Sequence, residues 1–405
     1  MLDVALTLLF TFRRLSLAVV CCSIMLLAGC GGNNTFLLPT LNGSIPIVVA
    51  HRGASGYLPE ETLEAYKKAI DLGADVLEFD LISTRDGVLI ARHDPNLATS
   101  TDVASHPEFA SRKKTTQVDG ETQTGWFASD FTLAEIKTLG TIASDSERPQ
   151  QYNGLYKIVT FQEIIDLVKR QSAATGRDIA IYPETKNPTY HRDLGLPLED
   201  KFIDQIIKAG WNSKSALVYV QSFEPGSLKY MKSKGLNTRL IQLIDAADVD
   251  LKTGVLILSV PFDKPYDWAK AGDTRLFSDM VTLAGLAEIK TYADGIGPWK
   301  RYIITVKGSV DADGKLQDIT GDGTINDADA NSQPPTDLVA DAHNAGLLVH
   351  PYTFRNEQRR LANDYQGDPH NEYLAFYRLG VDGVFSDFTD TAIAARSTYL
   401  KGFDR

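Results

Sequence analysis

The chain has 405 residues, 43% of them apolar, and a formal net charge of −11 at pH 7. That length is ample for one large α/β domain, since single barrels run to about 250 residues and beyond with insertions. The negative balance offers nothing to offset phosphate repulsion, which excludes non-specific binding to nucleic acid or an anionic membrane; an anionic substrate has to be drawn by a local group of cations.

In chain order, a targeting segment comes first. Arg13-Arg14 precede Leu15–Leu27, which is apolar apart from Ser16 and Ser23, too short to span a bilayer comfortably, and closed by Leu27-Ala28-Gly29-Cys30. This ending resembles the lipobox of bacterial lipoprotein signals. The resemblance implies removal of residues 1–29, a diacylglycerol on the Cys30 sulfur, and a lipid-anchored protein on the periplasmic side of a bacterial cell envelope. Gly31-Gly32, with no Asp beside the cysteine, resemble enterobacterial sorting signals, and that resemblance implies the outer rather than the inner membrane. A plain N-terminal membrane anchor is the alternative. Cys21 and Cys22 fall inside the segment to be removed, so the mature chain carries no internal disulfide framework. Residues 30–45 read as the lipidated cysteine and a flexible tether.

From residue 46 to 400 strands and helices alternate. Strand-like runs are 47–50, 76–81, 88–91, 179–182, 217–220, 238–243, 295–297, 347–349 and 381–386. Amphipathic segments lie between most of them, at 61–72, 133–139, 161–171, 201–209, 225–234, 280–290, 337–345 and 372–379. Such alternation means parallel strands with helices outside. Nine runs overfill a barrel of eight, but Arg85-Asp86-Gly87 is a tight-turn sequence with no room for a crossover helix. Residues 78–93 therefore read as a strand pair lacking its helix, which returns His93 beside Asp80. The expected fold is a distorted (β/α)8 TIM barrel with loop insertions. An open doubly wound sheet is the runner-up, weakened by the absence of a Gly-rich nucleotide loop after the first strand. Residues 98–130 read as a long polar loop over one barrel face, and 306–335 as an acidic insertion.

The chemistry-bearing residues sit where these strands end, which is where such a barrel displays its site. Glu78 and Asp80, at i and i+2, share a strand face; turned into a barrel, the two carboxylates are costly unless a divalent cation such as Ca²⁺ or Mg²⁺ offsets them. On an exposed strand they would be merely solvated, with Leu77, Phe79 and Leu81 as the buried face. His51 and His93 end two further strands, Arg52 can fork onto phosphate oxygens, and Pro183-Glu184-Thr185-Lys186 adds a third carboxylate and a cation. Gln221 is a candidate for a phosphate or glycerol oxygen and Arg355 for an extra anion contact. Cation, guanidinium and paired imidazoles together suit metal-assisted phosphodiester cleavage.

His51-Arg52-Gly53-Ala54-Ser55-Gly56-Tyr57-Leu58-Pro59-Glu60, Glu78-Phe79-Asp80 and His93-Asp94 resemble glycerophosphodiester phosphodiesterases, as do Tyr182-Pro183-Glu184, Gln221-Ser222-Phe223, residues 292–298, Val349-His350-Pro351-Tyr352-Thr353 and residues 381–387. The resemblance covers roughly residues 46–395 and is closest to the larger periplasmic, calcium-dependent branch. It implies a barrel of the phospholipase C-like phosphodiesterase type that hydrolyses deacylated phospholipids to sn-glycerol 3-phosphate and an alcohol. Glu78, Asp80 and Glu184 would hold the metal, His51 and His93 would be the acid–base pair, and Arg52 would hold the phosphate. A neighbouring glycerol hydroxyl would attack phosphorus to give a cyclic phosphate that water opens. Glu61 departs from the family, which commonly has Asn or His before Thr62, and is expected to affect loop packing rather than chemistry.

Within the acidic insertion, Asp318, Thr320, Asp322, Thr324, Asn326 and Asp329 fall at positions 1, 3, 5, 7, 9 and 12 of a twelve-residue calcium loop, with Gly323 at its sharp turn. The loop resembles a dockerin-type loop and implies a second, structural Ca²⁺; a solvated acidic turn is the alternative. A single copy speaks against a cohesin partner. Two other readings stand beside the hydrolase: a phospholipase acting on lyso- or intact lipids, and a non-catalytic calcium-dependent surface-binding protein. The sequence leaves the oligomeric state open.

Overall fold

The computed structural model describes residues 37–403. The expected signal segment 1–29 and the lipidation site Cys30 lie outside the described residues. All nine predicted runs become strands of one nine-stranded sheet: β1 (Ile47–Ala50), β2 (Val76–Ser83), β3 (Leu89–Ala91), β4 (Ala180–Thr185), β5 (Tyr219–Ser222), β6 (Arg239–Ile244), β7 (Gly295–Pro298), β8 (Leu348–Val349) and β9 (Gly383–Ser386). Eight of them run parallel in the order β8-β7-β6-β5-β4-β2-β1-β9. The ring closes between β8 and β9 through Asp382 N–H to Val349 O at 2.9 Å and Phe385 N–H to Pro351 O at 3.1 Å. This is the distorted TIM barrel.

The ninth run, β3, pairs antiparallel with β2 alone, Leu81 opposite Ala91 and Ser83 opposite Leu89. Its turn needs a residue with positive φ, supplied by Gly87 at 78°. Gly87 N–H donates to Thr84 O at 3.0 Å, and Val88 N–H to Thr84 Oγ1 at 2.9 Å. No crossover helix intervenes, and Arg92 N–H donates to Asp80 O at 3.0 Å, which brings His93 back to the end of β2.

Strand alternation decides what enters the barrel. Val49, Val76, Ala180, Tyr182, Ile241 and Phe385 fill its interior. Two residues further along the same inward faces come His51, Glu78 and Glu184, and beyond Glu78, Asp80. Leu77, Phe79 and Leu81 point the other way into the main core under the helices. Both faces of β2 are therefore buried, as expected for a strand covered by helices on one side and barrel filling on the other.

The first helix, Leu63–Asp71, is capped by Thr62, whose Oγ1 accepts from Ala65 N–H at 3.1 Å. Gly53 lies so close to its start that a Cβ would meet the Ala65 carbonyl carbon at 2.9 Å and Tyr66 N at 3.0 Å; only glycine lets the helix pack against the His51 turn. Helices Pro188–Asp193, Tyr266–Ala271 and Thr389–Leu400 go beyond the sequence expectation.

The segment read as a polar loop, 98–130, is instead folded. It carries a hairpin, Lys114–Val118 with Glu121–Gly125, and a core of its own: Leu97, Val103, Phe109, Trp126 and Phe131 pack with Ile136, Leu139 and Ile158 against Ile82 and Ile90 of the barrel. Its apolar residues are too sparse and aperiodic to register as an element, yet they converge. The flexible-tether reading likewise does not extend to residues 40–44: Thr40 is buried and Leu41 N–H donates to Asp382 Oδ1 at 2.8 Å.

Candidate active site

Parallel register aligns the acidic residues. Asp80 pairs with Glu184, and Glu184 with Gln221, in one row across β2, β4 and β5. Glu78, Asp80 and Glu184 are all buried and each offers an oxygen within 4.8 Å of the others. Burial and the charge of Asp80 push the Glu78 and Glu184 carboxyls well above the usual range. Burial works the same way on Asp80, but Lys186, His93 and Arg52 outweigh it and hold this carboxyl well below its ordinary value. Asp80 Oδ2 is buried with no hydrogen-bond partner. A buried, oxygen-only, mutually repelling set with an unpartnered oxygen fits a hard divalent cation such as Ca²⁺ or Mg²⁺.

Neighbouring groups fix the three carboxylates. Glu78 Oε2 accepts from the Arg52 backbone N–H at 2.7 Å and Oε1 from Gln221 Nε2 at 3.1 Å. The Gln221 amide proposed for substrate thus reaches Glu78, while its Oε1 is buried without a partner. Glu61 is more than loop packing: it is fully buried, with φ 58°, and its Oε1 accepts from Asp80 N–H at 2.8 Å. Burial and the adjacent Asp80 push its carboxyl well up.

The cations lie around this cluster. Arg52, with φ 56°, brings its guanidinium to 3.3 Å from Glu60 and 3.4 Å from Asp80; its Nε is buried without a hydrogen bond. Lys186 Nζ is 3.4 Å from Glu184 and 3.8 Å from Asp80. Arg355 Nε is 3.1 Å from Asp387.

The histidines stand in unlike settings. His51 Nδ1 is 2.6 Å from Asp387 Oδ1. Burial opposes ionisation of Asp387, but Arg148, His51 and Arg355 outweigh it and keep this carboxyl well below its usual range. Nδ1 therefore carries the proton and donates, leaving Nε2 with a lone pair. Burial, aided by Arg52 and against the pull of Asp387, pushes His51 down to about 4. His93 is 29% exposed; Lys186 Nζ lies 3.0 Å from its Nε2, and its Nδ1 is 2.9 Å from Asp94 Oδ1. A lysine ammonium can only donate, so Nδ1–H of His93 faces Asp94.

The two histidines, Arg52, Glu78, Asp80, Glu184, Lys186, Gln221 and Arg355 open onto one cavity of about 360 Å³. Its lining also includes Phe223, Phe262 and Tyr266, with Glu224 and, from the tip of the inserted hairpin, Asp119. Burial pushes Glu224 up to about 8 and Asp119 up to about 6. Sequence reasoning assigned no role to Asp387, although it follows β9, and missed Arg148, which gives its NH2 hydrogen to Asp387 from the loop between the inserted segment and helix Phe161–Thr175.

The 318–329 loop makes a contrast. Asp318 accepts from Gly321 N–H at 2.7 Å and Gly323 N–H at 2.8 Å; Asp322 accepts from Thr324 N–H at 2.7 Å. Asn326 Oδ1 accepts from Ala328 N–H at 2.9 Å. Asp329 is buried, with Thr320 N–H at 2.9 Å on one oxygen and Asn326 N–H at 3.0 Å on the other.

Comparison with known proteins agrees with this geometry. Residues 51–391 match the model of the glycerophosphoryl diester phosphodiesterase family. The glycerophosphodiester phosphodiesterase GDPD6 of Arabidopsis thaliana is 37% identical over 387 residues, covering 90% of this chain and 92% of that protein. The glycerophosphodiester phosphodiesterase of Haemophilus influenzae is 31% identical over 394 residues, covering 93% and 95%. In fold, the chain is similar to a phosphodiesterase from Oleispira antarctica solved with the product sn-glycerol-3-phosphate, with a TM-score of 0.51, 18% identity, and 88% and 99% of the two chains covered. With 51–391 matched, the chain belongs to the glycerophosphoryl diester phosphodiesterase family.

Proposed function

We propose that this protein hydrolyses glycerophosphodiesters to sn-glycerol 3-phosphate and an alcohol. The observation that carries the reading is the convergence of His51, His93, Arg52, Glu78, Asp80 and Glu184 on one cavity. A divalent cation held by Glu78, Asp80 and Glu184 would neutralise charge on the phosphoryl oxygens. Arg52 binds and orients the phosphate. His51, neutral at pH 7 and fixed by Asp387, takes the proton of the adjacent glycerol hydroxyl through Nε2. That hydroxyl oxygen attacks phosphorus, the bond to the alcohol breaks, and His93, entering the step with a second proton taken from solvent onto Nε2, gives that proton to the departing oxygen. Water then opens the cyclic phosphate with the two roles reversed. An intramolecular nucleophile needs no enzymic one, only proton transfer and charge neutralisation.

The test is coupled release of glycerol 3-phosphate from glycerophosphocholine with and without chelator. Release that stops on chelation and returns with Ca²⁺ or Mg²⁺ supports the reading; no release with either metal sinks it. A phospholipase, which the expected lipid anchor at Cys30 would suit, instead releases choline from micellar lysophosphatidylcholine. Incorporation of labelled palmitate, lost in Cys30→Ser, tests the anchor. The 318–329 loop is read as a structural Ca²⁺ site. Asp322→Ala is expected to lower the Tm in calcium without changing turnover at low temperature, and the opposite pattern contradicts that reading.

A further inference from the structure

A second cavity of about 200 Å³ lies behind His51, its walls carrying four arginines, Arg52, Arg148, Arg355 and Arg360, and three carboxylates, Glu60, Asp145 and Asp387. His51, Arg52 and Arg355 also line the catalytic cavity, whereas Arg360 does not. Each carboxylate already has a cation. Glu60 takes Arg52 at 3.3 Å, Asp145 takes Arg359 at 2.9 Å, and Asp387 takes Arg148 together with Arg355. Arg148 is further occupied by Glu357 at 3.1 Å.

Arg360 is the surplus. Among the described residues its guanidinium has no ion-pair or hydrogen-bond partner, and its Nε is buried without an acceptor; the Nε of Arg355 likewise lacks a hydrogen bond. Burial and the neighbouring charges of Arg355 and Arg359 pull the Arg360 pKa below its usual value. The planar guanidinium of Arg360, with no acceptor in a small polar cavity and with Arg355 beside it on Asp387, matches the geometry of a tetrahedral oxyanion.

We propose that this cavity is an oxyanion subsite, in which Arg360 and Arg355 hold a phosphate-sized anion distinct from the phosphate under attack. The ligand is either free inorganic phosphate or the second phosphate of a diester that carries two, and in the latter form the proposal rests on the hydrolase reading above.

The experiment is a calorimetric titration of inorganic phosphate into calcium-loaded enzyme saturated with sn-glycerol 3-phosphate. One further phosphate is expected to bind. Arg360→Gln should weaken it about tenfold or more, the loss of one charge-assisted contact, and Arg360→Lys should restore part of that affinity. Both variants should keep turnover of glycerophosphocholine within twofold, which also shows that they fold. No further phosphate on the wild type, or equal affinity in Arg360→Gln, overturns the subsite. The two ligand sources separate on bis(glycerophospho)glycerol. A tenfold fall in its kcat/KM in Arg360→Gln assigns the subsite to the substrate; an unchanged value with phosphate binding lost assigns it to the free anion. Failure to release glycerol 3-phosphate from any diester removes the hydrolase reading, and the effect of Arg360→Gln on phosphate binding then still decides whether the subsite exists.

Discussion

His51 and His93 are the same side chain at the mouth of the same barrel, yet their surroundings give them different tasks. His51 is shut in, its Nδ1 held by a carboxylate that two arginines keep ionised, and it stays neutral at pH 7. His93 is partly open to solvent, with Lys186 on Nε2 and the more exposed Asp94 on Nδ1. A ring fixed in place with a free lone pair suits proton removal from a buried hydroxyl. A ring nearer solvent, able to take up a second proton while Asp94 holds its Nδ1–H, suits delivery of a proton to a departing alcohol.

The sharpest way to break that contrast is to remove each ring. His51→Ala and His93→Ala should each lower kcat on glycerophosphocholine by about 10³-fold, within the range for a lost general acid or base. With a 4-nitrophenyl leaving group, which departs without a proton, His93→Ala should recover most of its rate and His51→Ala should not. Equal recovery in both would remove the assignment. Stability against pH comes next. The folded-state pKa of His51 is about 4 against an ordinary 6.5, so the unfolded chain takes up the proton first as pH falls. Stability is complete above pH 6.5 and declines toward pH 4, a loss of about 3 kcal/mol from this ring alone. Urea unfolding at pH 7 and pH 4.5 should show a smaller loss in His51→Ala, because the other buried histidines, His191 and His350, remain in both proteins.

Smaller effects should come from the partners. Asp387→Asn leaves the ring in place but loses the ionised acceptor that sets its tautomer, and should lower kcat about 100-fold with little change in KM. Asp94→Asn, at a more exposed pair, should cost about tenfold or less. If the two asparagine variants are equally impaired, the two histidines are not held differently.

Much of this was legible from residue order. Alternation along β2 put Glu78 and Asp80 on one face, and the Arg85-Asp86-Gly87 turn brought His93 back to Asp80, because both follow from local backbone rules. The hold on His51 was not legible. Arg148 is 239 residues from Asp387, in a loop without periodicity, and only the folded chain brings the two together. Glu61 was underestimated for a related reason: nothing in a Glu60-Glu61 pair tells which one turns, through a left-handed backbone, onto the amide of Asp80. The second core under the insertion was hidden because its apolar residues are single and scattered.

No crossover helix separates β2 from β3, and the insertion that follows β3 packs against this strand pair through Ile82 and Ile90. The hairpin tip that lines the cavity thus rides on a separately cored graft, while the carboxylates and histidines sit on or just past the barrel strands. One wall of the cavity and the carboxylate–histidine cluster are thereby carried on different pieces of chain, so the graft can be exchanged to alter that wall without moving the cluster.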